Sequence, residues 1–216
     1  MKKFGFTFFL FAISSACFCQ KLSAYNTFVA STFDFLNNKP FAALELEDTS
    51  GNTFNTSSLL GKTIYVDFWF TTCPPCVKEI PYSTTLQKFF ANDTNVVFLN
   101  ICIENIDQKP AWKQMIKTKE MHGIHLFYAR NRPQKINLLR EYKITFPTYL
   151  LVNKEMKITG YDAPRPSQQD WVHWAIIQAK EGQYLSASFK SMINRTKDYI
   201  TFIEANQPVI DSLRSN

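Results

Sequence analysis

Cys73 and Cys76 stand with two residues between them, in the run Thr71-Thr72-Cys73-Pro74-Pro75-Cys76. Two thiols at that spacing can close a short disulfide and reopen it. The exchange needs one sulfur as a thiolate, because the thiolate is the nucleophile. A helix starting at the first cysteine supplies that condition. Its unpaired amides and dipole favour negative charge, and a thiol so placed falls from a pKa of about 8.5 to roughly 3.5–7.5. Pro74 and Pro75 suit the first turn of such a helix, where a missing amide donor costs nothing. Cys73 is then the attacking sulfur, and Cys76, one turn further in, the resolving one.

Asp67 lies six residues before Cys73, inside the apolar run Ile64-Tyr65-Val66-Asp67-Phe68-Trp69-Phe70. A carboxylate buried there keeps its proton to higher pH and can exchange it near neutrality, so it could accept the Cys76 proton. The alternative is an Asp at the strand's edge, satisfied by backbone amides. Other uses of the cysteine pair fit less well. Zinc would need two more soft ligands, and only Cys102 and three His remain, with no second close pair. A c-type haem would need His directly after Cys76, where Val77 stands. A static disulfide closing so small a loop adds little stability. A peroxide-reducing thiol is disfavoured, because no Pro and Thr precede Cys73 at the spacing that chemistry uses. Cys102, between Ile101 and Ile103, reads as a buried, inert thiol. His122, His125 and His173 show no constellation.

The elements that must position the pair follow from periodicity. The run 64–70 is β-branched and aromatic and reads as a central strand. The cysteine helix runs to about Ala91 and carries Pro81, where a kink is expected. Asn95 to Ile103 is a second buried strand and Ile124 to Tyr128 a third. Helices are expected over Pro110–Met121, with Trp112, Met115 and Ile116 on one side, and over Pro133–Tyr142. Ile144 to Val152 is a strand containing Pro147, which calls for special geometry, and Glu155–Tyr161 is its hairpin partner. Upstream, Tyr25, Phe28, Val29, Phe33 and Leu36 predict a short helix over 21–38, ended by Lys39-Pro40. Residues 42–47 alternate as a strand, and a second short one includes Thr53-Phe54. Ser167 with Asp170 resembles a capping box, Gly182 is a helix stop, and a last helix is expected from Gln183 to Ala205. Strands alternating with helices indicate an α/β domain.

The 216 residues and 45% hydrophobic content, with 20 Phe, are ample for one core. The formal charge of +6 includes Lys2 and Lys3, and the remaining cations are scattered among acids, so nucleic-acid binding is not read from it. Lys2-Lys3, the apolar run from Phe4 to Ile13 and the small residues Ser14-Ser15-Ala16-Cys17 have the layout of a secretory signal peptide. Cleavage after Cys19 would leave Gln20 first. Lipidation at Cys17 is a second option, since Ser15-Ala16 precede it as small residues, although Ser14 matches that pattern poorly. Either route predicts an exported, periplasmic chain, lipid-anchored in the second case, in a compartment where disulfides persist.

Taken together, these segments resemble the thioredoxin superfamily, in its exported TlpA/ResA-like branch. Val66-Asp67-Phe68-Trp69 through Cys73-Pro74-Pro75-Cys76 is similar to the family's active-site segment. Cys76-Val77-Lys78-Glu79-Ile80-Pro81 is similar to its continuation, and Phe146-Pro147-Thr148 to the segment bearing its cis proline. The turn Asp48-Thr49-Ser50-Gly51 and Leu60-Gly61-Lys62 resemble its entry to the first central strand. The resemblance covers roughly residues 40–180. It implies a thioredoxin-like fold: a central mixed β-sheet flanked by helices, with an N-terminal helix and hairpin extension and an extra C-terminal helix. The expected divisions are a signal peptide over 1–19, an N-terminal extension over 20–38, the thioredoxin-like domain over 39–181 and a C-terminal helical extension over 182–216. It implies Cys73 as nucleophile, Cys76 as resolving thiol and Asp67 as buried acid. Thr72, Pro74, Pro75, Phe146 and a cis Pro147 would form the substrate-binding surface. The redox-active Cys73–Cys76 disulfide would work without other cofactor or metal. Partners would be disulfide-bearing exported proteins, with a membrane thiol carrier as electron donor and a role in redox homeostasis such as cytochrome c maturation. One departure stands out: Thr72 occupies the place where the family usually has Trp, which puts partner choice in question. A thioredoxin-like binding module with a static Cys73–Cys76 disulfide is the competing expectation.

Overall fold

The strand that carries Asp67, Thr63–Trp69, has apolar or β-branched residues at every other position and lies inside the sheet, as such a composition requires. The computed structural model describes residues 23–214. The expected signal segment and Cys17 lie outside the described residues. Among the described residues, β1 (Glu45–Asp48), β2 (Thr53–Asn55), β3 (Thr63–Trp69), β4 (Val96–Glu104), β5 (Ile124–Ala129), β6 (Thr148–Val152) and β7 (Ile158–Tyr161) form one sheet. The order is β2-β1-β5-β4-β3-β6-β7. β3, β4 and β5 pair in parallel, β6 joins β3 and β7 joins β6 antiparallel, and the β1–β2 hairpin adds antiparallel beyond β5. Parallel neighbours need crossovers. Helix α2 (Pro74–Phe89) supplies the first and α3 (Lys109–Thr118) the second. This is the mixed α/β sheet that the strand and helix pattern predicts.

Strand alternation divides the core. Val66, Phe68, Leu99 and Ile101 face one layer, closed by Leu138 of the single-turn helix α4 (Leu138–Glu141) and by Tyr142. Tyr65, Phe98, Tyr149 and Leu151 face the other, beneath α2 and α5 (Gln169–Lys180). The helix α1 over 23–33 rests on this second layer, where Phe33 meets Trp171 and Phe189 edge-on or tilted. Only part of its expected stripe is buried: Phe33 and Leu36 are, whereas Tyr25 and Phe28 are exposed.

Several expected boundaries shift. The 42–47 strand pairs only from Glu45, because the Ala42 and Leu44 amides donate to the Tyr142 and Thr56 hydroxyls instead. The 133–142 helix shrinks to Leu138–Glu141: Asn137 caps it, while Gln134 and Tyr128 take the Ala129 and Ile136 carbonyls outside any helix. The strand expected from Ile144 starts at Thr148, after the Phe146–Pro147 bond, which is cis. Ser167 does not cap α5, since its amide and hydroxyl both bind the Glu79 carboxylate of α2. The single helix expected over 183–205 is two helices, α6 (Leu185–Ile193) and α7 (Lys197–Arg214). Arg195 takes a left-handed φ of 46°, and the Thr196 hydroxyl accepts the Tyr199 amide, which starts a new helix at that point. α7 then continues past Pro208, and its Phe202 and Ile210 pack with Trp174 of α5. None of the described helices is long and apolar enough to cross a membrane.

The C-terminal helices join the sheet through a close approach at β7. A Cβ built on Gly160 would stand 2.7 Å from Leu185 Cβ. Neither β7 nor the stem of Leu185 can yield cheaply, so Gly160→Ala should destabilise the chain by about 1–3 kcal/mol, measured by urea unfolding. A variant as stable as the unaltered chain would mean that α6 docks elsewhere in solution.

Candidate functional site

Cys73 is the N-cap of α2. Its backbone is extended (φ −90°, ψ 100°), Pro74 and Pro75 open the helix, and its Sγ accepts the Cys76 amide at 3.2 Å. The sulfur thus lies at the positive end of the helix, where a thiolate gains both a hydrogen bond and the dipole. Cys73 and Cys76 are joined as a disulfide with Cα atoms 5.2 Å apart. Both are buried, Cys73 to 2% exposure and Cys76 to 4%. They pack with Trp69, Cys102 and Trp112, and with the partly buried Phe70, Met115 and Phe146. Thr72, Pro74 and Pro75 are exposed around them.

Phe146 and Pro147 come from the far side of the chain. Phe146 meets Phe70 edge-on at 4.8 Å and packs against the cluster that holds both cysteines. The turn carrying the cis bond is closed by Thr148, whose hydroxyl accepts the Thr145 amide at 3.0 Å and donates to the Thr145 carbonyl. The structure therefore brings Phe146 to the cysteine pair, with Phe70 beside it, a residue that the spacing of the motif does not single out.

Asp67 lies opposite Asn100 on β4 and Tyr149 on β6, and Asn100 lies opposite His125 on β5. Paired residues share a sheet face, so these four side chains form one polar row. The Asp67 Oδ1, the Tyr149 hydroxyl and both His125 ring nitrogens are buried without a hydrogen-bond partner. Asp67 as a whole keeps some solvent contact, but its Oδ1 has none. Burial, and secondarily the Glu79 carboxylate, push its pKa from 3.8 up to about 8. Burial likewise lowers His125 to about 4, so its ring is neutral at physiological pH. Asp67 thus stands in the sheet with an unpartnered, buried carboxyl oxygen.

Two further buried acids escaped the reading of the sequence as site elements. Glu79, on the inner face of α2, accepts the Ser167 amide at 2.9 Å and its hydroxyl at 2.8 Å. Glu104, at the end of β4, accepts the Thr71 amide at 3.1 Å and the Thr71 hydroxyl. For Glu104 the available signal was an ionisable residue ending a mostly apolar strand. Cys102 is buried and free, and its thiol lies 3.7 Å from Glu104 Oε2. Burial first, then the Glu104 carboxylate, push that thiol far above its usual range, and its burial agrees with the position expected for it. His173 lies against the Gln169 carbonyl and His122 is exposed. Among the described residues, no group of three His, Cys, Asp or Glu could hold a metal ion.

The family described as Redoxin matches residues 36–170. The thiol-disulfide oxidoreductase ResA of Bacillus subtilis is 30% identical over 119 residues, which are 52% of this chain and 59% of that protein. The ResA protein of Bacillus cereus is 25% identical over 160 residues, 73% of this chain and 87% of that one. The chain thus spans about three fifths of the first of these relatives. Among solved structures, the thioredoxin domain of a thiol-disulfide oxidoreductase from Bacteroides vulgatus superposes with a TM-score of 0.56 at 24% identity, covering 66% of this chain and 96% of that one. A thiol:disulfide interchange protein from a Bacteroides species gives 0.54 at 26% identity, covering 68% and 93%. The thioredoxin-like fold expected from the motifs is the fold of this chain.

The raised Asp67 value sets a pH dependence. The folded chain holds this proton more tightly than the unfolded one, so the stability it contributes is full below about pH 4 and is lost as pH rises through about 8. Asp67→Asn removes that loss. Urea unfolding at pH 5 and pH 8.5 should show the variant gaining about 1–3 kcal/mol on the unaltered chain across the interval. A constant difference would mean that Asp67 titrates normally.

Proposed function

The chain belongs to the Redoxin family, and on that premise we propose that it is an exported thiol–disulfide oxidoreductase that exchanges disulfides with partner proteins through Cys73 and Cys76, working as a reductase. The observation that carries this reading is the placement of Cys73 as the N-cap of α2, its sulfur on the Cys76 amide and bonded to Cys76. Family membership and relatives named thiol-disulfide oxidoreductase support it.

The chemistry balances as follows. In the reduced chain the Cys73 thiolate attacks one sulfur of a partner disulfide. That S–S bond breaks, and the partner's other sulfur leaves as a thiolate and takes a proton. A mixed disulfide then joins Cys73 to the partner. The Cys76 thiol gives its proton to Asp67 and attacks the Cys73 sulfur, which closes the Cys73–Cys76 bond and releases the second partner thiol. Two electrons pass from this chain to the partner, and a membrane thiol carrier returns them. The exposed Thr72, Pro74 and Pro75 and the half-buried Phe146 beside Pro147 are the surface that a partner would meet. Disulfide-bearing exported proteins, including those of cytochrome c maturation, are the partners that fit. The periplasm is the fitting compartment, reached through the N-terminal segment by signal cleavage or lipidation at Cys17.

The burial of Cys73 favours a second reading, a binding module whose disulfide stays closed, because attack needs the side chains covering that sulfur to move aside. Thiol alkylation across a redox-buffer series separates the two. A reversible two-electron transition between about −100 and −300 mV is expected; a pair that never titrates there would refute the oxidoreductase reading. Cys73→Ser should abolish insulin disulfide reduction, and Cys76→Ser should trap mixed disulfides visible on non-reducing gels. Activity persisting in the Cys73 variant would remove it as the nucleophile.

A further inference from the structure

Glu104 ends β4 with its carboxylate buried beneath the turn that leads to Cys73. Its oxygens receive Thr71 twice: the amide reaches Oε2 at 3.1 Å, and the hydroxyl shares its one proton between Oε1 at 3.0 Å and Oε2 at 2.8 Å. The Cys102 thiol lies against Oε2 at 3.7 Å. None of the ion pairs among the described residues includes Glu104. A buried acid without a cation is expensive, and an apolar residue would fill the same space at lower cost. Packing alone therefore does not account for it.

The position of Thr71 explains what the carboxylate does. The ladder between β3 and β4 ends at Trp69 opposite Cys102, so from Phe70 onward the chain has left the sheet. The Cys73 amide then bonds back to the Phe70 carbonyl at 3.2 Å, which makes Thr71 a corner of the turn. Thr71 is buried, and its amide has no strand to pair with. The Glu104 side chain supplies the missing acceptor, linking β4 to the chain two residues beyond the end of the backbone ladder. Two residues later the Cys73 sulfur must meet the Cys76 amide on the axis of α2.

We propose that Glu104 is a positioning residue of the redox couple, which by holding the amide and hydroxyl of Thr71 fixes the corner that aims the Cys73 sulfur. This rests on the oxidoreductase reading above. Displacement at sulfur is sensitive to alignment, and a misplacement of 1 Å can cost about a hundredfold in rate. Both Glu104 and Thr71 are buried, so their effect falls on the turnover step rather than on partner binding.

The test uses the full chain with insulin as the disulfide substrate, and compares Thr71→Val, Thr71→Ser, Glu104→Gln and the Thr71→Val/Glu104→Gln pair. Thr71→Val keeps shape and amide but loses the hydroxyl. It should lower kcat about tenfold with KM unchanged, and should move the pH midpoint of Cys73 alkylation upward as the thiolate loses its alignment with the helix end. Thr71→Ser should restore both. Glu104→Gln, which sets an amide group against the Thr71 donors, should lose at least as much, and the double variant should lose no more than Glu104→Gln alone. Losses that multiply, a serine variant as slow as the valine one, or a melting temperature that falls while kcat and the alkylation midpoint stay put would each overturn the proposal. An unaltered chain that fails to reduce insulin would instead bring down the oxidoreductase reading on which it rests.

Discussion

A sulfur held against the amide end of a helix is the interaction on which the rest of this structure depends. The Cys73 Sγ to Cys76 N contact is possible only if β3 stops at Trp69 and the chain turns within four residues into the first turn of α2. Everything around the turn serves that geometry. Two prolines start the helix where their missing amides cost nothing. Glu104 supports the corner from β4. The Thr145–Thr148 turn brings Phe146 against the cysteine cluster from the other side of β3.

The same region carries three carboxylates that a core would not tolerate unassisted, and each is accommodated differently. Glu79 and Glu104 are satisfied by neutral donors, an amide and a hydroxyl in each case, from Ser167 and Thr71. These bonds tie α2 to the start of α5 and β4 to the β3–α2 turn. Asp67 has no such donor at Oδ1 and remains burdened by burial, which is why its proton leaves near pH 8. A poorly solvated acid is suited to moving a proton, whereas a well-bonded one is suited to holding a chain segment in place.

How much could be read beforehand varies by the range of the forces involved. The strands β3 and β4, the cysteine helix and the α/β alternation were legible because burial on both faces of a parallel strand demands an unbroken apolar run, as in Thr63–Trp69. Asp67 was legible for the same reason, as the one acid in that run. Several differences lie where side chains bind groups that a regular element would use. Helical spacing over 133–142 survives only as Leu138–Glu141, because Asn137 caps that turn and Tyr128 takes the Ile136 carbonyl just before it. The stripe over 183–205 is genuine, yet a left-handed Arg195 and the Thr196 cap divide it into two helices. Ser167 had the look of a cap, and Glu79, 88 residues away, claimed it.

By itself, then, the sequence determined the close cysteine pair, the helix that starts on it, the acid in the strand before it and the family to which these motifs belong. Local spacing and apolar runs encode all of these, since each depends on residues within a turn or a strand of one another. Only the tertiary structure decided that Glu104 would reach Thr71, that Glu79 would reach Ser167, and that Phe70 would stand beside Phe146 at the couple. Those contacts join residues 33, 88 and 76 positions apart, and they exist because the packing of strands, helices and turns, not sequence spacing, sets which side chains meet.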